Sequence, residues 1–241
     1  MNPAKHHEVL LNIAAQAFEA ARKYHQHKVI GIEHIPNNRS AIVAVNHSLA
    51  TYDITLLMTA MYTERGILPR PLVDRLFFKV PLVGPIAANF FGAVQGSQES
   101  AEQLLTDGEV ITVAPGGMRE ALRPSREKYQ INWDHRIGFC RLAMKTQTPI
   151  ILAACPKADD LYDVYPSHLT AWFYKTYKIP VFLARGLGFT PIPRPVRLTH
   201  FCSEPLYPPK WSDDEKQREK SLSSFHKKLV QEMEKLMKSG E

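Results

Sequence analysis

The chain has 241 residues, 44% hydrophobic and 22% charged, which is enough to bury one substantial core and too short for two full-sized domains. Thirty Lys and Arg against 24 Asp and Glu give a formal net charge of +6, which favours anionic partners such as phospholipid head groups, phosphorylated cofactors or nucleic acid. Three well-separated cysteines without a Cys-x-x-Cys pair argue against a zinc ribbon or a disulfide framework and are typical of buried thiols in a reducing compartment.

The N-terminal sequence lacks the basic-then-apolar pattern of a secretory signal. No uninterrupted apolar run reaches the roughly 18–20 residues that a bilayer-spanning helix needs. We therefore expect a cytoplasmic protein that contacts the inner face of a membrane only peripherally.

Residues 1–27 are predicted to form an amphipathic helix, with Asn2 as its cap and Pro3 in its first turn. Its apolar residues recur at three- and four-residue steps: Val9, Leu10, Ile13, Ala14, Ala17, Phe18, Ala21 and Tyr24. Basic residues flank this stripe. The helix either packs on the body of the protein or also lies on a membrane surface.

Residues 28–210 alternate between strand-like and helix-like runs, which indicates an α/β domain with a largely parallel central sheet flanked by helices. Strands are predicted at 28–36 and 41–45 (as a hairpin around 37–40), near 91–94, and at 109–114, 149–155, 181–185 and 196–202. Helices are predicted at 53–62, at 98–107 with Ser97 as cap, at 138–147 and at 166–178, with short helices at 76–90.

Residues 211–241 are predicted as a C-terminal amphipathic helix that begins with a Ser212–Glu215 capping box. One face carries Leu222, Phe225, Leu229, Met233, Leu236 and Met237. The predicted architecture is thus a single α/β domain with a helix at each end.

Two unusual loops follow predicted strands. "NHSLATYD" comes after "AIVAV", and "PGGMREAL" comes after "EVITVA". Ligands of open α/β sheets bind beyond the carboxyl ends of the strands, so parallel neighbours would bring both loops to one crevice.

The first loop offers a general base. We expect His47 to be an exposed imidazole, neutral near pH 7, and Asp53 to bind its other ring nitrogen and fix the tautomer.

The second loop offers oxyanion and phosphate contacts. Gly116 and Gly117 allow backbone N–H groups to approach an oxygen, and Arg119 presents a fork of donors. With no GxSxG elbow and no cysteine beside His47 in the sequence, the natural substrate for the base is a hydroxyl on a second substrate.

The two loops, with "RIGFCRLA" and "TPII" after them, resemble the glycerolipid acyltransferase superfamily, in particular its diacylglycerol acyltransferase-like branch, over roughly residues 40–210. The resemblance implies acyl transfer from acyl-CoA or acyl-carrier protein, as co-substrate and without a cofactor, to a lipid hydroxyl. It also implies that His47 is the general base and Asp53 its orienting partner. Asn46, Gly116, Gly117 and Arg119 would then contact substrate.

The chain departs from the superfamily pattern at three points. Five residues separate His47 from Asp53 where four are usual, the second block "FFGAVQGSQES" lacks its arginine, and the third has Gly116-Gly117 in place of Glu-Gly. The last two changes favour a neutral acceptor, such as a glyceride or fatty alcohol, over a lysophospholipid.

Several alternatives remain open from the sequence. The "NWDHRIG" segment is either a polar turn that caps the next helix or a contact from Arg136 to the donor's phosphates. An ester or thioester hydrolase with the same histidine, or a non-catalytic lipid-binding protein, would fit the same loops. No nucleic-acid recognition motif accompanies the positive charge, and the His6-His7 and His25-x-His27 pairs lack the partners of a metal site.

Overall fold

A computed structural model describes residues 3–73, 92–165 and 183–239, and elements are numbered here within those ranges. Nine strands are present in them: β1 Lys28–Ile30, β2 Ala41–Val45, β3 Arg70–Val73, β4 Val94–Gln95, β5 Val110–Val113, β6 Ile150–Ala154, β7 Asp163–Tyr165, β8 Leu183–Arg185 and β9 Thr199–Cys202. Seven form one sheet in the order β1-β9-β6-β2-β5-β3-β4, and β7 pairs with β8 separately. Within the seven-stranded sheet only β6 and β9 are antiparallel neighbours, which confirms the predicted largely parallel α/β fold.

Helices cover both faces of this sheet. Within the described residues they are α1 Pro3–Tyr24, α2 Tyr52–Arg65, α3 Gln98–Thr106, α4 Gly117–Ala121, α5 Gly138–Thr146 and α6 Glu215–Lys238. The Ser97 hydroxyl accepts the Ser100 N–H at 3.1 Å, so the predicted cap of α3 is confirmed. None of these helices is both long and apolar enough to cross a bilayer.

The side chains of β2 alternate between two cores because successive strand residues face opposite sides of a sheet. Ile42 and Ala44 join the core formed with α3, α5 and α6. Val43 and Val45 join the core formed with α2. Burial on both faces explains why "AIVAV" is apolar throughout, and it makes β2 the centre of the fold.

The predicted hairpin is wrong. β1 pairs with β9, and β9 and β6 lie between it and β2. The chain leaves β1 through a left-handed Gly31 (φ 80°) and a 3₁₀ turn at Ile32–His34, which carries it away from the edge where a hairpin partner would add.

The last helix begins differently from the prediction. The Asp214 carboxylate, and not Ser212, caps α6 by accepting the Gln217 N–H at 2.9 Å. The predicted apolar face is confirmed, with five of its six residues buried and Leu236 partly buried. All three cysteines are free and buried, as expected.

Strands β3 and β7 were not predicted, because β3 contains Pro71, which lacks a backbone N–H, and β7 begins at Asp163, a residue that is depleted in strands. The predictions for Asn2 and for the helix at 166–178 lie outside the described residues, as do those for 76–90. The strand predicted near 91–94 is present as β4, at Val94–Gln95.

Candidate active site

Three loops meet at one edge of the sheet. β2, β5 and β6 are parallel and adjacent, with β2 in the middle, so their carboxyl ends lie side by side. The loop after β2 carries His47, the loop after β5 carries the diglycine and α4, and the loop after β6 carries Asp159. The predicted convergence of the first two loops is therefore confirmed, and β6 contributes a third.

The imidazole of His47 is turned inward at this edge. Its Nδ1 lies 2.8 Å from the Ser48 carbonyl oxygen, and the residue keeps only 7% of its surface exposed. The expected exposed ring is thus wrong, because the chain folds back through a 3₁₀ turn at Leu49–Thr51. Burial lowers the pKa of His47 to about 4. The hydrogen bond to the Ser48 carbonyl acts in the opposite direction, and the positive charges of Arg123 and Arg136 add to the lowering.

The peptide groups on either side of the imidazole are held by two residues of the second loop. The Glu120 carboxylate accepts the His47 N–H at 3.0 Å, and Arg123 donates to the His47 carbonyl at 2.7 Å. Glu120 also accepts the Asn132 N–H at 2.6 Å, and Arg123 lies 3.5 Å from Asp159. The buried Arg123 guanidinium is therefore paired with a carboxylate, and His47 is fixed from its backbone.

The diglycine makes room for two side chains of the same chain. A Cβ on Gly116 would lie 1.9 Å from Glu120 Cδ, and one on Gly117 would lie 2.2 Å from an Arg136 nitrogen. Gly117 also has a φ of 49°, in the left-handed region that favours glycine. Its N–H donates to the Ala114 carbonyl at 3.0 Å, so it is not the free oxyanion donor that the sequence suggested.

Asp53 does not bind the imidazole of His47. Its Oδ1 accepts the Ser48 hydroxyl, and the link to His47 runs through the Ser48 backbone. Thr51 adopts a φ of 56° just before α2, and Asp53 lies in the first turn of that helix. Burial raises the pKa of Asp53 to about 7, although the hydrogen bond from Ser48 acts to lower it.

Asn46 joins two strands and does not face a substrate. Its Oδ1 accepts the Cys155 N–H at 2.8 Å and its Nδ2 donates to the Cys155 carbonyl at 3.3 Å. The residue is almost wholly buried. Asn46 thus extends the pairing of β2 and β6 by one step and serves as a positioning residue, in place of the predicted substrate contact.

The two predicted arginines are available at the surface beside the diglycine. Arg119 keeps 62% of its side chain exposed and forms an ion pair with Asp134. Arg136 is exposed and donates to the Pro115 carbonyl at 3.2 Å. Neither Asp134 nor Arg136 caps α5, whose N-cap is Ile137 without a side-chain bond.

Sequence reasoning missed Glu120, Arg123 and Asp159. All three lie in post-strand loops, and the spacing Gly116-x-x-x-Glu120 is one helical turn, which folds the carboxylate back over the diglycine. A glycine one turn before a carboxylate was the available signal for Glu120. Nothing in the local sequence indicates that Arg123 would be buried.

Comparison with known proteins identifies the fold and the family. The fold matches the crystal structure of the 1-acyl-sn-glycerophosphate (LPA) acyltransferase, PlsC, from Thermotoga maritima with a TM-score of 0.54 and 19% identity, over 97% of this chain and 84% of that one.

The chain is 29% identical over 197 residues to the human "DGAT1/2-independent enzyme synthesizing storage lipids", covering 81% of this chain and 58% of the relative. It is 26% identical over 183 residues to an uncharacterized protein of Mycobacterium bovis, covering 71% of this chain and 50% of the relative. The chain thus spans between half and three fifths of these relatives' length. Residues 26–155, more than half of the chain, match the family described as Acyltransferase, and the chain belongs to that family.

Proposed function

We propose that this protein transfers an acyl group from an acyl thioester to a lipid hydroxyl, with His47 as the general base. The observation that carries the proposal is the bond from His47 Nδ1 to the Ser48 carbonyl. A carbonyl oxygen can only accept, so Nδ1 carries the hydrogen of the neutral ring. Nε2 then holds the free lone pair, which is the atom that a base needs.

The surroundings of the ring fit this role. A pKa of about 4 keeps the imidazole neutral at pH 7, so its Nε2 lone pair is not occupied by a proton. Burial limits the access of water, which would otherwise compete for the acyl group. The positive charge that forms on the ring is stabilised by the Ser48 carbonyl and, through Ser48, by the Asp53 carboxylate.

In the proposed reaction, the acceptor hydroxyl gives its proton to His47 Nε2 as its oxygen attacks the thioester carbonyl. A carbon–oxygen bond forms, and the electron pair moves to the carbonyl oxygen. When that carbonyl reforms, the carbon–sulfur bond breaks, and the thiolate takes the proton from the imidazolium. The products are an ester and a free thiol, and no further reactant is needed.

Acyl-CoA or acyl-carrier protein is the proposed donor, because both carry phosphate on the acyl-bearing arm. Arg136 lies against Gly117, Arg119 follows the diglycine by two residues, and the chain carries a net charge of +6. Exposed guanidinium groups bind phosphate through paired donors. These two arginines are therefore the proposed phosphate contacts.

A neutral glyceride or fatty alcohol is the proposed acceptor. The absence of the phosphate-acceptor arginine from "FFGAVQGSQES" supports it. The human relative, whose name refers to the synthesis of storage lipids, points in the same direction.

A membrane surface is the proposed place of encounter with such acceptors. The loop after β8 exposes three large apolar residues, with Phe189 93%, Ile192 52% and Leu187 48% exposed. Arg185 lies over the Phe189 ring at 5.5 Å, which places a cation beside the apolar tip. Apolar tips with adjacent cations suit the interface of anionic lipid bilayers.

The experiment is an acyl-CoA assay with and without monoacylglycerol, diacylglycerol or a fatty alcohol, on the wild type and on His47→Gln. We expect ester formation in the wild type and a loss of about 10²- to 10⁴-fold in the variant. His226→Gln is the matched control, because His226 is a partly buried histidine on α6 that packs against Phe139 of α5 and whose Nε2 has no hydrogen-bond partner among the described residues.

Full activity in folded His47→Gln would contradict the proposed base. Thiol release at the full rate without an acceptor would instead identify a hydrolase. Vesicle binding without turnover on any donor or acceptor would identify a lipid-binding protein.

A further inference from the structure

A series of buried polar groups leads from helix α1 toward Asp53. Arg22 Nε donates to His27 Nδ1 at 3.0 Å, and His27 Nε2 lies 2.8 Å from His200 Nδ1. The third step is longer, with His200 Nε2 3.9 Å from Asp53 Oδ2. His27 is 8% exposed, and His200 and Asp53 are fully enclosed. Neither His200 Nε2 nor Asp53 Oδ2 has a hydrogen-bond partner among the described residues.

The direction of this series is set by the arginine. A guanidinium only donates, so His27 Nδ1 must accept, and a neutral His27 then carries its hydrogen on Nε2. That hydrogen is donated to His200 Nδ1, so a neutral His200 carries its own hydrogen on Nε2. Burial lowers the pKa of both rings, to about 3 for His27, and keeps them neutral. An N–H is thereby aimed at the unpartnered oxygen of Asp53.

The series continues from Asp53 to the imidazole of His47. The other Asp53 oxygen accepts the Ser48 hydroxyl, and the Ser48 carbonyl binds His47 Nδ1 at 2.8 Å. We propose that His27 and His200 are positioning residues of the site, through which Arg22 directs an N–H at Asp53 and so holds Ser48 and the tautomer of His47. Helix α1 then helps to position the residues of the site, in addition to packing on the protein or facing a membrane.

Arg22 is itself anchored. Its Nη1 donates to Glu19 at 2.6 Å, and its other terminal nitrogen forms an ion pair with Glu64 of α2. The helix that carries Arg22 thus contacts α2, the helix whose first turn contains Asp53. This double attachment fixes where the first hydrogen bond of the series starts.

A metal ion is the rival occupant of the same place. Ligand atoms of Asp53, Cys155 and His200 lie within 4.8 Å of one another and are buried. A metal would need the lone pair of His200 Nε2, which requires the opposite tautomer in both histidines. His27 Nδ1 would then carry a hydrogen facing the Arg22 N–H, with two donors 3.0 Å apart. The hydrogen-bond geometry therefore favours the N–H over the metal.

The test uses three variants of the full chain. His200→Leu removes the N–H that faces Asp53, and His200→Gln keeps an amide N–H near the same position. His226→Leu is the matched control. Each is checked for fold by circular dichroism. Then kcat, KM for the acceptor and the ¹⁵N spectrum of the imidazoles, which reports the tautomer of His47, are measured.

We expect His200→Leu to lose about 10-fold in kcat with little change in KM, as for other outer hydrogen-bond partners of active sites. His200→Gln should recover most of that loss, and His226→Leu should match the wild type. The His47 spectrum should show the Nδ1–H form in the wild type and a mixture of tautomers in His200→Leu.

Three results would overturn the inference: an unchanged His47 spectrum in folded His200→Leu, equal losses in the Leu and Gln variants, or stoichiometric metal in the wild type that His200→Leu lacks. The inference rests on the proposed function, but the two fail separately. Activity that survives His47→Gln removes the proposed base, whereas an inactive His47→Gln beside a fully active His200→Leu removes only the positioning role. The ¹⁵N spectrum of His47 tests the positioning role of His200 even without a known substrate.

Discussion

The carboxylate of Glu120 accepts the backbone N–H of His47 at 3.0 Å, although 73 residues separate them in the chain. The bond exists because β5 lies directly beside β2 and because Gly116 leaves space for the carboxylate to fold back. Together with Arg123 on the neighbouring carbonyl, it fixes the peptide groups from which the imidazole projects. Glu120 therefore positions the imidazole of His47 without needing to contact substrate.

Gly116→Ala should disrupt this arrangement. The new Cβ would overlap Glu120 Cδ, at 1.9 Å, and would force the carboxylate away from the His47 N–H. Breaking a buried hydrogen bond of this kind costs about 1–3 kcal/mol. We expect a lower free energy of unfolding in urea and at least a tenfold loss in kcat, a factor that corresponds to about 1.4 kcal/mol.

Gly138→Ala is the control for that substitution, because a Cβ there meets nothing within 4 Å and the site lies at the start of α5. It should be neutral or stabilising by up to about 1 kcal/mol. A Gly116→Ala protein with unchanged activity would show that the Glu120 bond is dispensable.

Asn46→Asp should weaken the junction between β2 and β6. The aspartate keeps an acceptor for the Cys155 N–H but places a second oxygen against the Cys155 carbonyl. With one buried donor replaced by an acceptor, we expect a loss of about 1–3 kcal/mol in the free energy of unfolding. Asn38→Asp, in an exposed turn, is the control and should leave the urea midpoint in place. Equal midpoints for both variants would refute the bridging role.

The free energy of unfolding should decrease as the pH is lowered, and part of this decrease should come from His47. The pKa of this ring is about 4 in the folded protein and 6.5 ordinarily, so the unfolded chain binds more protons between those values. The contribution is present above pH 6.5 and is lost as the pH falls toward 4. Asp53, whose pKa is raised to about 7, contributes the opposite slope between about 4 and 7.

The contribution of His47 is obtained by comparing the wild type with His47→Gln, because Asp53 is present in both proteins. In urea titrations at pH 7 and pH 4.5, His47→Gln should lose less stability than the wild type, by up to about 3 kcal/mol. Exposed His135→Gln should follow the wild-type curve. A His47→Gln curve parallel to the wild type would mean that the ring is accessible to protons in the folded state.

Phe189→Ser should weaken binding to vesicles. Burial of a phenylalanine side chain in an apolar phase is worth about 1.5–3 kcal/mol, or roughly a 10- to 100-fold change in partition. Co-sedimentation with vesicles that contain anionic lipid measures this change. Tyr207→Ser removes another exposed aromatic, one that bonds to Arg39, and should bind as the wild type does. Equal binding by both variants would exclude this loop from the membrane contact.

The sequence by itself determined the class of fold and the place of the site. "AIVAV" and "EVITVA" are apolar because β2 and β5 are enclosed by the sheet and its helices, and the loops after them stand out because polar and glycine residues follow at once. These are local patterns, and local patterns are readable from one chain.

Only the tertiary structure decided which groups surround His47. Glu120 and Arg123 reach it because β5 lies beside β2, and His200 faces Asp53 because β9 runs antiparallel to β6. The predicted His47–Asp53 bond gave way to a bond through Ser48, since the left-handed turn at Thr51 sets the direction of Asp53. Spacing along a chain fixes how far apart two residues can be, whereas strand order and backbone torsions fix which way their side chains point.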